Sequence, residues 1–138
     1  MLGFGIKPIF LKGTANILQG LYDDIAERMV GDIDLIVSKD KYQQTISILL
    51  NNGYTTEIGS DKFLPIYKHF PRLIKEGNIA AIEVHKEMID EKYSKEFNFD
   101  LISDRIQDIK GFSILSYKDQ LNLSILSFHI EDYGYDYK

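Results

Sequence analysis

The sequence predicts an α+β fold, a sheet of about 4–5 strands in mixed or antiparallel order with helices between and after them. Three observations lead there. Short apolar runs bounded by Gly, Pro or Asn recur at strand length, among them Gly31–Val37 and Ile79–His85. Between the first strands, apolar residues fall at helical spacing after Thr14 and after Ser38. The last third of the chain reads as helical. At 138 residues the length suits one domain, able to bury about two thirds of the surface its unfolded chain exposes.

Taken in order, Ile6–Leu11 (Ile-Lys-Pro-Ile-Phe-Leu) is a short first strand, with Pro8 placing its start near an edge. Lys12-Gly13-Thr14 ends it. Thr14 is the expected N-cap of a helix carrying Ala15, Leu18, Leu21, Tyr22 and Ile25. Asp23, Asp24 and Glu27 form its solvated side, and Arg28–Gly31 connects it to the next strand. A second helix begins at Ser38, turns Tyr42, Ile46, Leu49 and Leu50 inward, and takes Gly53 as its C′ residue. Tyr54–Ile58 is a strand closed by Gly59-Ser60, and Asp61–Tyr67 is one helical turn interrupted by Pro65. His69–Lys75 and Ile79–His85 flank the turn Glu76-Gly77-Asn78, which makes an antiparallel hairpin.

The C-terminal part is expected to be helical over Asp100–Ile109, with Leu101, Ile102 and Ile106 on one side. Ser116-Tyr117-Lys118-Asp119 is a capping-box pattern opening a helix to about Glu131. Leu121, Leu123, Ile125, Leu126, Phe128 and Ile130 leave that helix little polar face, so it is expected to be buried. In so short a chain this calls for a homodimer partner or a further C-terminal helical region. Tyr133–Tyr137 reads as a frayed end.

Composition narrows the function. A net charge of −5 argues against an extended nucleic-acid surface, which needs a basic stripe. With no cysteine, disulfides and thiolate metal sites are excluded. No signal-peptide pattern opens the chain and no apolar run approaches ~18 residues, so the expected location is cytoplasmic, away from membranes.

Within Gly31-Asp32-Ile33-Asp34-Leu35-Ile36-Val37, Asp32 and Asp34 stand two residues apart and so share one face of a strand. Two such charges about 6 Å apart repel by roughly 3 kcal/mol at an effective dielectric near 20. A divalent cation with oxygen ligands would offset this; a solvated strand entrance capping local amides is the other reading. Glu83 sits mid-strand in Ile79-Ala80-Ala81-Ile82-Glu83-Val84-His85, on the face of Ala81 and His85. A charge there needs a partner or a metal. Either Glu83 joins Asp32 and Asp34 as a third oxygen ligand, or it meets solvent or pairs with Lys75 across the hairpin. Gly13 lets backbone approach a ligand, and Thr14 adds a hydroxyl at a helix start, where free N–H groups suit phosphate.

Leu11-Lys12-Gly13-Thr14, a helix, Arg28, the Gly31–Val37 strand and Ile82-Glu83-Val84-His85, in that order, resemble the nucleotidyltransferase superfamily of DNA polymerase β-like fold. The likeness is closest to its uncharacterised nucleotidyltransferase branch and covers roughly Gly5–Glu87, with a weaker match over Leu115–His129. The resemblance implies helices packed mainly on one face of the sheet, a catalytic core over residues 1–90 and a C-terminal helical extension over 91–138. It implies Asp32 and Asp34 as ligands shared by two Mg²⁺ ions, with Mn²⁺ as a substitute, and Glu83 as third ligand and catalytic base. Gly13 and Thr14 would contact the triphosphate of a nucleoside triphosphate, ATP foremost. An acceptor hydroxyl, on a small molecule or a protein, would attack the α-phosphate, take the nucleotide (AMP foremost) and release pyrophosphate. The alternative is a non-catalytic nucleotide-binding or regulatory module of the same fold, such as half of a toxin–antitoxin pair.

The likeness has departures: Thr14 stands where the superfamily commonly has Gly or Ser, and Gly13 lies farther from Asp32 than in the smallest members. Lys12 either meets a phosphate or is a solvated strand end. Arg28 holds the loop before the Asp strand or reaches the ligand. His85 shares the face of Glu83 and is a candidate for substrate contact, whereas His69 and His129 read as packing or surface residues. The residues that would read the acceptor lie among Asp61–Lys75 and the C-terminal helices.

Overall fold

The computed structural model describes residues 2–24, 31–56 and 68–130. Expectations for Ile25, Glu27, the Arg28–Val30 connector, Ile58–Tyr67, the helix end at Glu131 and the Tyr133–Tyr137 tail fall outside those residues.

The order is β1 (Ile9–Phe10), α1 (Lys12–Leu18), β2 (Asp32–Ile36), α2 (Tyr42–Asn51), β3 (Thr55–Thr56), β4 (Leu73–Ile74), β5 (Ala81–His85), α3 (Phe99–Ile102), β6 (Gln107–Ile109), β7 (Phe112–Ile114) and α4 (Tyr117–Ile130). The strands form one mixed sheet in the order β3-β4-β5-β2-β1-β7-β6. Among the described residues it has seven strands, not the four or five expected. The addition is the hairpin β6–β7, where a helix over Asp100–Ile109 was expected. Helix persists there only as Phe99–Ile102 and a 3-10 turn at Ser103–Arg105. The two-residue loop Lys110-Gly111 has φ of 52° and 85°, the positive pair that makes a tight hairpin turn match strand twist. The Asp108 carboxylate accepts the Gly111 amide at 2.9 Å and holds it.

Two local signals are borne out, at the end of α2 and the start of α4. Gly53, at φ 84°, closes α2 in a Schellman arrangement: its amide donates to Leu50 O and that of Tyr54 to Leu49 O. Leu50, expected to face inward, is exposed, because Ile46 and Leu49 already fill the stripe that faces the sheet. The Ser116 hydroxyl accepts the Asp119 amide at 3.2 Å and donates to the Asp119 carboxylate at 2.6 Å, the N-cap half of the expected capping box. α4 itself is not buried all round: Leu123 is buried, while Leu121, Ile125 and Phe128 are exposed. Burial follows contact with the sheet, and one side of α4 takes it all. Pro8 lies just outside β1, so its missing N–H costs no ladder bond. The strand it precedes is interior, between β2 and β7, rather than near an edge.

Alternation along the strands builds two cores. Leu35, Val37, Ile82, Val84 and Leu73 pack with Ile46 and Leu49 of α2. Ile9 and Ile36 point the other way, into a cluster with Met88, Ile89, Phe97, Ile102, Leu115 and Leu123 of α4. Apolar helix residues thus enter both cores. Asp32, Asp34 and Ile36 share one side of β2 by period, so the acids lie on the sheet face that carries the second core.

Candidate active site

β2 and β5 run parallel and pair along their whole length, Asp32 with Ala81, Asp34 with Glu83 and Ile36 with His85. Paired residues share a face, so this register alone sets Glu83 beside Asp34. Segments about fifty residues apart are thereby joined. Neighbouring ligand atoms of Asp34, Glu83 and His85 lie within 4.8 Å of one another. Asp34 is 7% exposed and His85 fully buried.

The backbone delivers Lys12 to the same place. The β1–β2 ladder continues one step beyond β1, the Leu11 amide donating to Asp34 O at 3.0 Å. Lys12 follows, and its Nζ donates to Asp34 Oδ1 at 2.7 Å. Lys12 adopts φ 49°, a left-handed conformation costing an L-residue about 1–2 kcal/mol, and the ion pair helps to offset it. Gly13 is the second residue of α1. Thr14 is not the N-cap: Leu11 holds that position, without a side-chain cap, three residues before the expected point. The chain leaves β1 directly into helix, which carries Thr14 past the cap. Its Oγ1 is buried without a hydrogen-bond partner.

His85 Nε2 lies 2.8 Å from Asp34 Oδ1 and 3.9 Å from Glu83 Oε2. Burial lowers the pKa of His85, so we assign the neutral ring with its proton on Nε2, donating to Asp34. Burial also pushes the Asp34 carboxyl up, but the His85 hydrogen bond and the Lys12 ammonium outweigh it and hold the group at about 2. Glu83 moves the opposite way. Burial raises its pKa, and the charges of Asp34 and Asp32 add to the rise against a lowering by His69. The two neighbouring carboxyls are thus pushed in opposite directions, Asp34 down and Glu83 up, a division that suits separate ligand and proton-acceptor roles.

Asp32 shares the face but not the cluster. Its Oδ1 accepts a hydrogen bond from Arg72 Nη2, so the two aspartates turn to different cations. Lys75, the conceivable ion-pair partner of Glu83, instead donates to Asn52 O at 2.8 Å and lies over the Tyr54 ring. Arg28 lies outside the described residues. Two side chains at the acids were not among the expected site residues. His69 stands 3.8 Å from Glu83, its ring 5.2 Å from that of His85; Arg72 holds Asp32. The available signal was the hairpin register. Leu73 pairs with Ile82 in antiparallel order, which brings Arg72 opposite Glu83 on the acid face, while His69 bridges His85 one residue out of that register.

Three carboxylates and an imidazole on one sheet face, beside a strand-to-helix loop with a lysine, can hold a divalent cation and bind an anion next to it. Among the described residues no helix is long and apolar enough to cross a membrane. Comparison with curated proteins and with solved structures found no match. The model of one family, described as uncharacterised nucleotidyltransferase, matches residues 3–133. That match spans nearly the whole chain and both strands of acids, and the chain belongs to this family of uncharacterised nucleotidyltransferases.

Proposed function

We propose that the protein is a divalent-metal-dependent nucleotidyltransferase that moves a nucleoside monophosphate, AMP foremost, from a nucleoside triphosphate to an acceptor hydroxyl. The observation that carries this reading is the β2–β5 register, which sets Glu83 beside Asp34 with Asp32 on the same face. The donor set fits the ion: carboxylate oxygens suit Mg²⁺, and the imidazole nitrogen nearby also admits Mn²⁺. The buried, unpartnered Thr14 Oγ1 at the α1 start supports an oxygen-rich ligand in that loop.

Asp32 and Asp34 would hold two ions, with Glu83 as the third ligand. The ions when bound would polarise the α-phosphate and stabilise the leaving oxygen. His85, donating to Asp34, orients that carboxylate; fully buried, it would act through Asp34 rather than by touching substrate. Lys12, with Gly13 and Thr14, would face the triphosphate. The acceptor oxygen forms its bond to the α-phosphorus as the bond to the bridging oxygen breaks. Pyrophosphate leaves, and the acceptor proton passes to Glu83. The exposed Leu121, Ile125 and Phe128 of α4 suit the expected partner, a second copy or a further helical region, and the expected site of action is the cytoplasm.

The test is transfer from α-labelled ATP with Mg²⁺ or Mn²⁺. Asp34→Ala and Glu83→Gln are expected to lower transfer by about 100-fold or more while circular dichroism stays that of the folded protein. Absence of metal-dependent nucleotide binding in the wild type would overturn the reading. A second reading, a module that holds nucleotide without turnover, has one observation in its favour: Asp32 is engaged by Arg72 and stands apart from the cluster of Asp34, Glu83 and His85. Metal-dependent binding with no pyrophosphate release would select it.

A further inference from the structure

Arg72 belongs to none of the motifs that led to the acids, yet it is the cation set directly against one of them. It immediately precedes β4, and the pairing of Leu73 with Ile82 puts it opposite Glu83 on the acid face. Its guanidinium holds Asp32 at a partly open position, the two side chains 40% and 33% exposed. The Lys12–Asp34 pair differs, since the Asp34 side chain is only 10% exposed and also carries the His85 hydrogen bond. Among the described residues Lys12 and Arg72 thus share the acid face with nearly equal exposure, and the acid that Arg72 holds is the more accessible of the two.

We infer that Arg72 is an exchangeable counter-cation: it holds Asp32 while the site lacks metal, and turns to the outer phosphates of the nucleoside triphosphate when Asp32 becomes a ligand. This rests on the nucleotidyltransferase reading above. A guanidinium cannot leave a carboxylate by losing its proton, because it stays charged at any working pH. It can only change partners. A carboxylate committed to a divalent ion has little charge left to offer it, whereas a phosphate matches its planar fork with two parallel hydrogen bonds. A partly exposed ion pair is weak, so the exchange requires little.

Binding order follows. Metal alone must compete with Arg72 for Asp32 and gains nothing in return. Metal with nucleotide supplies the displaced guanidinium with a new partner, so the two ligands bind cooperatively through this residue.

The experiment measures two affinities: Mn²⁺ alone by electron paramagnetic resonance, and a fluorescent ATP analogue at saturating Mn²⁺. Arg72→Gln is expected to bind Mn²⁺ alone severalfold more tightly and the nucleotide at least tenfold more weakly. Arg72→Lys, which keeps the charge but not the fork, is expected to leave Mn²⁺ binding near wild type and to weaken nucleotide severalfold; it carries the test should Arg72→Gln fail to fold. A purely structural Arg72 would move both affinities in the same direction, and that result, or no change in either, overturns the inference. If the wild type binds Mn²⁺ and nucleotide while Arg72→Gln shows no opposite response and Arg72→Lys no selective loss of nucleotide, only the role of Arg72 falls. If the wild type binds neither, both readings fall.

Discussion

At Asp34 a single carboxylate links stability to pH. In an unfolded chain it titrates near 3.8; in the fold, His85 and Lys12 hold it at about 2 against the upward push of burial. A depressed acid stabilises the fold above its unfolded pKa and loses that contribution as pH falls toward its folded one. The shift corresponds to about 2 kcal/mol, complete near pH 5 and largely gone near pH 2. Urea unfolding of the wild type and Asp34→Asn is expected to show a stability difference that shrinks by about that amount between pH 5 and pH 2. A difference independent of pH would mean that ionised Asp34 does not hold the fold. Two residues of this site were legible as a pair from spacing alone, because the strand period puts Asp32 and Asp34 on one face. What each carboxylate touches was not, since Lys12, His85 and Arg72 come from other strands and loops.

Among the elements, the β6–β7 hairpin turns on two residues with positive φ. A Cβ on Gly111 would meet nothing within 4 Å, so Gly111→Ala is strained only through its backbone at φ 85°. The expected loss is about 1–2 kcal/mol, read as a lower urea midpoint, while Lys110→Asn is expected to raise it slightly because Asn tolerates that conformation. This hairpin is where sequence reading went furthest astray. Leu101, Ile102 and Ile106 fit a helical period, and a Lys-Gly turn is a fainter mark than Asn-Gly. The α2 terminus and the α4 capping box were readable because their hydrogen bonds join residues no more than five apart. The N-cap at Thr14 was misplaced by the same local logic: pattern favours a hydroxyl, but the chain enters α1 straight from the β1–β2 ladder at Leu11.

For the whole molecule, the sheet separates an acid-bearing face from the core under α2. Leu73 is fully buried in that core, beside Arg72 in sequence but opposite the acids in space. Leu73→Ala is expected to cost about 2–5 kcal/mol by thermal or urea unfolding, with Mn²⁺ affinity of the folded protein little changed. A large loss of affinity in a protein that remains folded would show the two faces to be coupled. By itself the sequence determined the shared face of Asp32 and Asp34, the place of Glu83 on its own strand and the order of motifs that marks the family, since these depend on backbone period and neighbours a few residues away. Only the tertiary structure decided that β5 lies parallel beside β2, that β6 and β7 extend the sheet, and that Asp32 faces Arg72 while Asp34 faces Lys12 and His85. Those outcomes join segments from some twenty to about a hundred residues apart, and they are set by which strands pair and in what register.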